Sequence, residues 1–425
     1  MQRTRLSCLI AAAALLAPMT AMAQVKHFEP SLNTALAART LSAPAAIKSR
    51  LDGIRSEIKS KGFTFEVGYT EAMDKPLEQL CGLNVPADAA QRIQAAMALS
   101  AKMVSDDAAE ISAHAKANPG FKVASAASLA TGGVSASVFN WVTSGKSTPI
   151  RNQGGCGSCW VFGTIAAFES SWAIRNNQLI DSSEQDVLSC SSTHPAGNGN
   201  GSCNGGWMEW VAKTLAFQGT GTEASKPYTA SNGVCTAIAR PYFASSWGFV
   251  SGTGLPTVAQ LKAALVAHGV LSVGVMATSA FQAYTGGVFN QSVAGLNHCV
   301  AIVGWDDSKG AWLIKNSWGT GWGMAGYMWI KYGANGIGTH AVWVDARAIP
   351  PVPAEDCIPF NPANLTINHS GANYIVQDGA HQMISFGSQA DAQNAINRIR
   401  QHGFKRICFV GRPFSAGHGM TYFLP

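Results

Sequence analysis

The hydrophobic positions change rhythm along the chain and divide it into unlike stretches. Between Gln24 and about Gly133, Ala-rich runs predict helices over Ala46–Ile58 and Ala87–Val104. Between them, Phe63 to Tyr69 alternates as a short strand does. From Val161 to Ile174, apolar residues including Ile165, Phe168 and Trp172 recur at helical spacing and predict a buried helix opening near Cys159. Ile349-Pro350-Pro351-Val352-Pro353 has the composition of a semi-rigid linker. Beyond it, Asn373–Val376 and Gln382–Phe386 read as strands. A helix follows from a Ser388 cap through Ala392, Ala395, Ile396 and Ile399, and Arg406–Gly411 and Thr421–Leu424 read as closing strands.

The first 23 residues follow another pattern. Arg3 and Arg5 precede a nearly continuous apolar run, Leu6 to Ala17, and Ala21-Met22-Ala23 supplies small residues for cleavage. This is the layout of a secretory signal, and the run is too short to span a bilayer. No later stretch is long and apolar enough to cross a membrane, so the expectation is an exported chain, secreted or periplasmic. Tryptophan marks the inner boundaries, because all twelve lie between Trp141 and Trp343.

Composition sharpens this picture. Hydrophobic residues make up 47% of the 425 and charged residues 13%, enough apolar material for a sizeable core. The formal charge of +6 is scattered rather than clustered, so it points to no nucleic-acid partner. Export makes the ten cysteines informative. Cys8 leaves with the signal, and the nine that remain cannot all pair with one another.

The candidate chemistry lies in Gln153-Gly154-Gly155-Cys156-Gly157-Ser158-Cys159-Trp160. Cys159 falls at the first turn of the predicted buried helix. There the macrodipole and unpaired N–H groups favour an anion, lowering the thiol pKa toward the nucleophilic thiolate. Leu296-Asn297-His298-Cys299-Val300 lies 139 residues beyond Cys159, and Lys315-Asn316-Ser317-Trp318-Gly319 places Asn316 a further 18 on.

This set resembles the papain/cathepsin family of cysteine peptidases, whose nucleophile pattern is followed by His and Asn roughly 130–150 residues later. The resemblance covers about Ser135 to Val344. It implies an α+β fold in which a helical subdomain and an antiparallel, barrel-like subdomain face each other across a cleft. It implies Cys159 as nucleophile, His298 as its ion-pair partner and general acid, and Asn316 as the group orienting the imidazole. Trp318 would shield that contact, and Gln153 would donate to the oxyanion with the Cys159 backbone N–H.

The resemblance implies the pairs Cys156–Cys203 and Cys190–Cys235; separately, Cys357 near the start and Cys408 near the end of the small C-terminal unit would staple it. Gly205 and Gly206 would pair with substrate backbone, and Trp207 and Met208 would line the pocket for the residue second before the cut. Gly274 and Cys299 match further wall positions. No cofactor is expected, and no paired Cys and His set suggests a metal. A segment between signal and peptidase then reads as a pro-segment inhibiting its own enzyme, although the family's usual helical pro-segment signature is missing. The family's third disulfide has no counterpart near Ser292.

The expected organisation is a signal peptide (1–23), pro-segment (24–133), peptidase domain (134–349) and small α+β accessory module of unknown partner (350–425). The expected activity is hydrolysis of peptide bonds in peptide or protein substrates by a zymogen-type endopeptidase. Acyl transfer by the same residues, as a ligase or transpeptidase, and a silent binding protein stand as alternatives. Cys81, odd for a pro-segment, reads either as a small buried hydrophobe or as a cap on Cys159.

Overall fold

Nine consecutive residues from His298 to Asp306 are buried, and the strand they form is the spine of the structure. The structure is a computed structural model that describes residues 34–191, 201–348, 356–410 and 420–424, apart from positions 237, 380 and 402. The predicted secretory signal and the Pro-rich linker lie outside the described residues.

The main sheet comprises β1 (Thr64–Val67), β2 (Val138–Asn140), β3 (Ala244–Phe249), β4 (Leu271–Val275), β5 (Tyr284–Phe289), β6 (His298–Asp306), β7 (Ala311–Lys315), β8 (Tyr327–Lys331) and β9 (Thr339–Ala346). Its order is β1-β5-β8-β7-β6-β4-β9-β3, with β2 also pairing β6. All pairings are antiparallel except β5 with β8. Both β6 and β7 are buried along their whole length and hold Val, Ile and Trp side chains, as expected for strands covered on both faces.

Helices α1 (Thr34–Leu41), α2 (Ala45–Lys61), α3 (Leu77–Leu80), α4 (Ala89–Ala117) and α5 (Ala126–Leu129) precede the body. Gly62 ends α2 in the left-handed region at φ 65°, a conformation glycine adopts without steric cost. Within the body lie α6 (Cys159–Arg175), α7 (Glu184–Cys190), α8 (Met208–Phe217), α9 (Val258–His268) and α10 (Ser279–Gln282). One core gathers sheet residues such as Trp305 and Trp312 with Phe281 of the α10 helix. A second joins α6 and α8 through Trp160, Phe168 and Val211, and shares Val342 and Val344 of β9. Helical and sheet halves therefore meet along α6, the α+β arrangement expected.

The stretch before the body reaches both ends of the sheet order. β1 adds a strand beside β5, and α4 packs on β3 at the other end. α4 also runs to Ala117, well past the Val104 that periodicity suggested. Long-range ion pairs from Asp107 and Glu110 hold its later turns, and no local pattern reveals them.

The C-terminal unit has its own core around Val376, Ile384, Ala395 and Ile399. It contains β10 (Asp356–Pro359), β11 (Leu365–Ser370), β12 (Asn373–Asp378), β13 (His381–Phe386), α11 (Gln389–Gln401), β14 (Arg406–Val410) and β15 (Met420–Leu424). Ser388 caps α11 as expected, its Oγ accepting from the Asp391 N–H at 3.1 Å. The strands β10 and β11 were not legible in sequence. β10 contains Asp and Pro and forms only by pairing with the distant β14, a register that sets Cys357 opposite Cys408.

Candidate functional site: a covered Cys-His-Asn cleft

The disulfide Cys156–Cys203 pins the loop before α6 to the segment carrying Gly205 and Gly206, and Cys190–Cys235 closes a second loop. Cys81, Cys159 and Cys299 carry free thiols. The loop reverses through Gly154 at φ 63° and delivers Cys159 to the first turn of α6. The hydroxyl of Tyr228 donates to the Gln153 carbonyl at 2.9 Å and lies 2.6 Å from Ser158 Oγ, fixing the turn.

His298 opens β6, and Asn316 follows the end of β7, so two adjacent strands bring them together. His298 Nε2 lies 2.8 Å from Asn316 Oδ1. That oxygen also accepts the Ser317 N–H at 2.8 Å, which identifies it as the acceptor and Nε2 as the protonated nitrogen. Nδ1 is then the free base of a neutral imidazole, and it has no hydrogen-bond partner among the described residues. The Trp318 ring lies 4.6 Å from the imidazole and 5.6 Å from Phe281, closing this contact off from water.

Gln153 is fixed from both sides. Its Oε1 accepts from Ser317 Oγ at 2.7 Å, and its Nε2 donates to the carbonyls of Cys156 at 2.7 Å and Leu80 at 3.0 Å. Ser317 was not singled out in the sequence; its place immediately after Asn316 was the available signal.

The segment Leu80–Asn84, also not anticipated as a unit, runs through the cleft. Gly82 N–H points at Cys159 Sγ at 3.3 Å. Gly206 N–H donates to the Gly82 carbonyl at 2.8 Å, and Asn84 N–H donates to the Gly206 carbonyl at 2.9 Å. These two bonds flank Leu83 and make a parallel bridge to Gly206. Leu83 N–H donates to the Asn297 carbonyl at 2.9 Å. The Gly82 backbone, rather than the Cys81 thiol, therefore caps the Cys159 sulfur. Glycine is required here, since a Cβ at position 82 would stand 1.8 Å from the Gly157 carbonyl oxygen. Gly205 and Gly206 are similarly crowded, by Asn84 and by the Trp160 ring.

Leu83 is buried, and a methyl added to Gly274 would meet it at 3.2 Å and Leu296 at 3.4 Å. Trp207 and Met208 are buried in the same core, with the Trp207 ring packed edge-on against His340. The Cys299 sulfur packs against Gly163 of α6 and lies 3.2 Å from Ser272 Oγ, a packing role.

Electrostatics in this covered state run opposite to the sequence expectation. Burial pushes the Cys159 thiol up to about 11, against the pull of the N–H groups of Gly82, Cys299 and Trp160. Burial likewise pushes His298 down to about 4, partly offset by Asn316. The helix-start donors are present, but excluding water from both groups outweighs them, so the pair rests neutral.

Among known proteins, the model of the papain family cysteine proteases matches residues 135–344. Cathepsin L 2 of Paramecium tetraurelia is 37% identical over 189 residues, which are 44% of this chain and 57% of that protein. The chain thus spans little more than half the length of that curated relative. Cysteine proteinase 2 of Entamoeba histolytica is 36% identical over 219 residues, 48% of this chain and 67% of its own. The solved structure of digestive procathepsin L 3 from the larval midgut of Tenebrio molitor has a TM-score of 0.52 at 24% identity, covering 70% of this chain and 88% of that one, a likeness of fold. With the Cys-His-Asn geometry in a cleft between helical and sheet halves, these matches settle the relationship: the chain belongs to the papain family of cysteine proteases.

Proposed function

We propose that the protein is the latent precursor of an exported cysteine endopeptidase that hydrolyses peptide bonds. The observation that carries this reading is His298, held through Nε2 by Asn316 with Nδ1 free, in the same cleft as Cys159 at the start of a buried helix. Once the cleft is open, water and substrate dipoles return and the thiol proton passes to Nδ1. The thiolate then attacks the scissile carbonyl, His298 protonates the leaving amine, and water completes hydrolysis. Gln153 Nε2 and the Cys159 N–H stabilise the oxyanion; a donor of this kind is worth on the order of 3 kcal/mol of barrier.

Residues 24–133 act as the pro-segment. The Leu80 carbonyl takes the Gln153 donor, and Gly82 offers the sulfur an N–H, which cannot be attacked, in place of a carbonyl carbon. The parallel pairing with Gly206 supports a segment that occupies the cleft without being cut. Leu83 supports a preference for a branched apolar residue second before the scissile bond. The two body disulfides fit an extracytoplasmic location.

Incubating the purified precursor at mildly acid pH with reductant tests this reading. A new N-terminus between residues 125 and 140 is expected, with an irreversible thiol label confined to Cys159. A label elsewhere would contradict it.

A further inference from the structure

The segment holding the cleft is joined to a second contact on the body, remote from the cysteine. In α4, Ile93, Ala96, Ser100, Met103, Asp107 and Glu110 follow one another at steps of three and four, so they share one face. That face begins apolar and ends acidic. Ile93 and Ala96 join the core that contains Trp247 and Phe249 of β3. Ser100 lies so close that a Cβ on Gly248 would sit 2.5 Å from its Oγ, and Gln94 Nε2 donates to the Gly252 carbonyl at 2.7 Å.

The acidic end meets two arginines of the body. Arg175 Nη2 lies 2.6 Å from Asp107 Oδ2, and Arg347 Nη2 lies 2.6 Å from Glu110 Oε1. The arginine side chains are only 10% and 7% exposed, so these pairs are far better shielded than ordinary surface ones. Arg175 is the last residue of α6, and Cys159 is its first. A helix of that length separates the two by about 24 Å. The same upstream stretch therefore grips both ends of the helix that carries the sulfur.

We propose that the face formed by β3, Arg175 and Arg347 is a docking site for an acid-bearing amphipathic helix, and that α4 is an inhibitory anchor binding there independently of the cleft. Tethering the short Leu80–Asn84 segment to this anchor keeps its local concentration high, so a weakly held blocker behaves as a strong one. A cut between the two contacts leaves α4 seated on the body, and full release requires a separate undocking step. This inference rests on reading residues 24–133 as the pro-segment.

The test separates docking from catalysis. In the full chain carrying Cys159→Ser, recognition sites for an unrelated specific protease are placed at residues 85–87 and after Lys122, then cut. The freed helix is expected to co-elute with the body at low salt. With Asp107→Asn and Glu110→Gln added, it should separate at low salt. Separation of the unsubstituted helix at low salt, or retention of the substituted one, overturns the proposal. In the active chain, the two substitutions should speed processing about tenfold and leave the processed enzyme's kcat/KM unchanged. Unchanged processing overturns the anchoring role, whereas an inactive parent chain with the docking result intact would sink only the protease reading.

Discussion

Gly82 and Cys159, 77 residues apart in sequence, meet backbone to side chain, the glycine N–H pointing at the sulfur at 3.3 Å. Under the proposed function, the contact places a group that cannot be attacked where a substrate would place one that can. It also seals the sulfur from water, and that seal sets the charge state of the pair.

Acid should loosen the seal. His298 is held down to about 4 in the covered state against an ordinary 6.5, so the open state binds its proton first as pH falls. The covered state is favoured above about pH 6.5 and loses ground progressively until pH falls past about 4. In a Cys159→Ser chain, where no thiol proton can pass to Nδ1, the open fraction should by linkage rise about 20-fold between pH 7 and 5 from this group alone. Hydrogen exchange of the Gly82, Leu83 and Asn84 amides in a Cys159→Ser chain reads it; exchange that does not accelerate on acidification contradicts it.

Gly82→Ala should unseat the cleft segment, because its Cβ would fall 1.8 Å from a backbone oxygen that has no room to yield. The expected outcome is a precursor whose Cys159 is alkylated faster at neutral pH, with the thermal stability of the body retained. Protection equal to the parent's would show that the contact is looser than described.

Gln153→Ala acts on two states in opposite senses. It removes a donor to the Leu80 carbonyl and, under the proposed function, the side-chain donor to the oxyanion. Cys159 of the precursor should therefore be alkylated faster, while kcat/KM of the processed enzyme falls about 100-fold on a peptide substrate. Undiminished kcat/KM would remove Gln153 from the oxyanion site.

The C-terminal unit should carry a cross-strand disulfide between Cys357 and Cys408, which the β10–β14 register sets opposite each other. Non-reducing peptide mapping should find the two linked, and their reduction should lower the unit's unfolding temperature. Two free thiols at these positions would refute the pairing.

How legible was this in the sequence? The Cys159 helix, the His298 and Asn316 strand ends and the Cys156–Cys203 and Cys190–Cys235 bonds could be anticipated, because short motifs with fixed spacing carry them. Leu80–Asn84 could not, since its meaning lies in pairing with Gly206 and Gln153 far along the chain. The later turns of α4 were missed for the same reason: Asp107 and Glu110 look like solvent-facing residues until Arg175 and Arg347 stand opposite them. Helix position argues for a thiolate, whereas burial, the largest influence on Cys159 in this covered state, pushes its thiol up.

The most direct test of the whole account is the alkylation rate of Cys159 against pH, before and after the upstream stretch is removed. The precursor should react no faster than an ordinary buried thiol below pH 9, whereas the processed body should react rapidly from mildly acid pH upward. Equal rates in the two forms would contradict it.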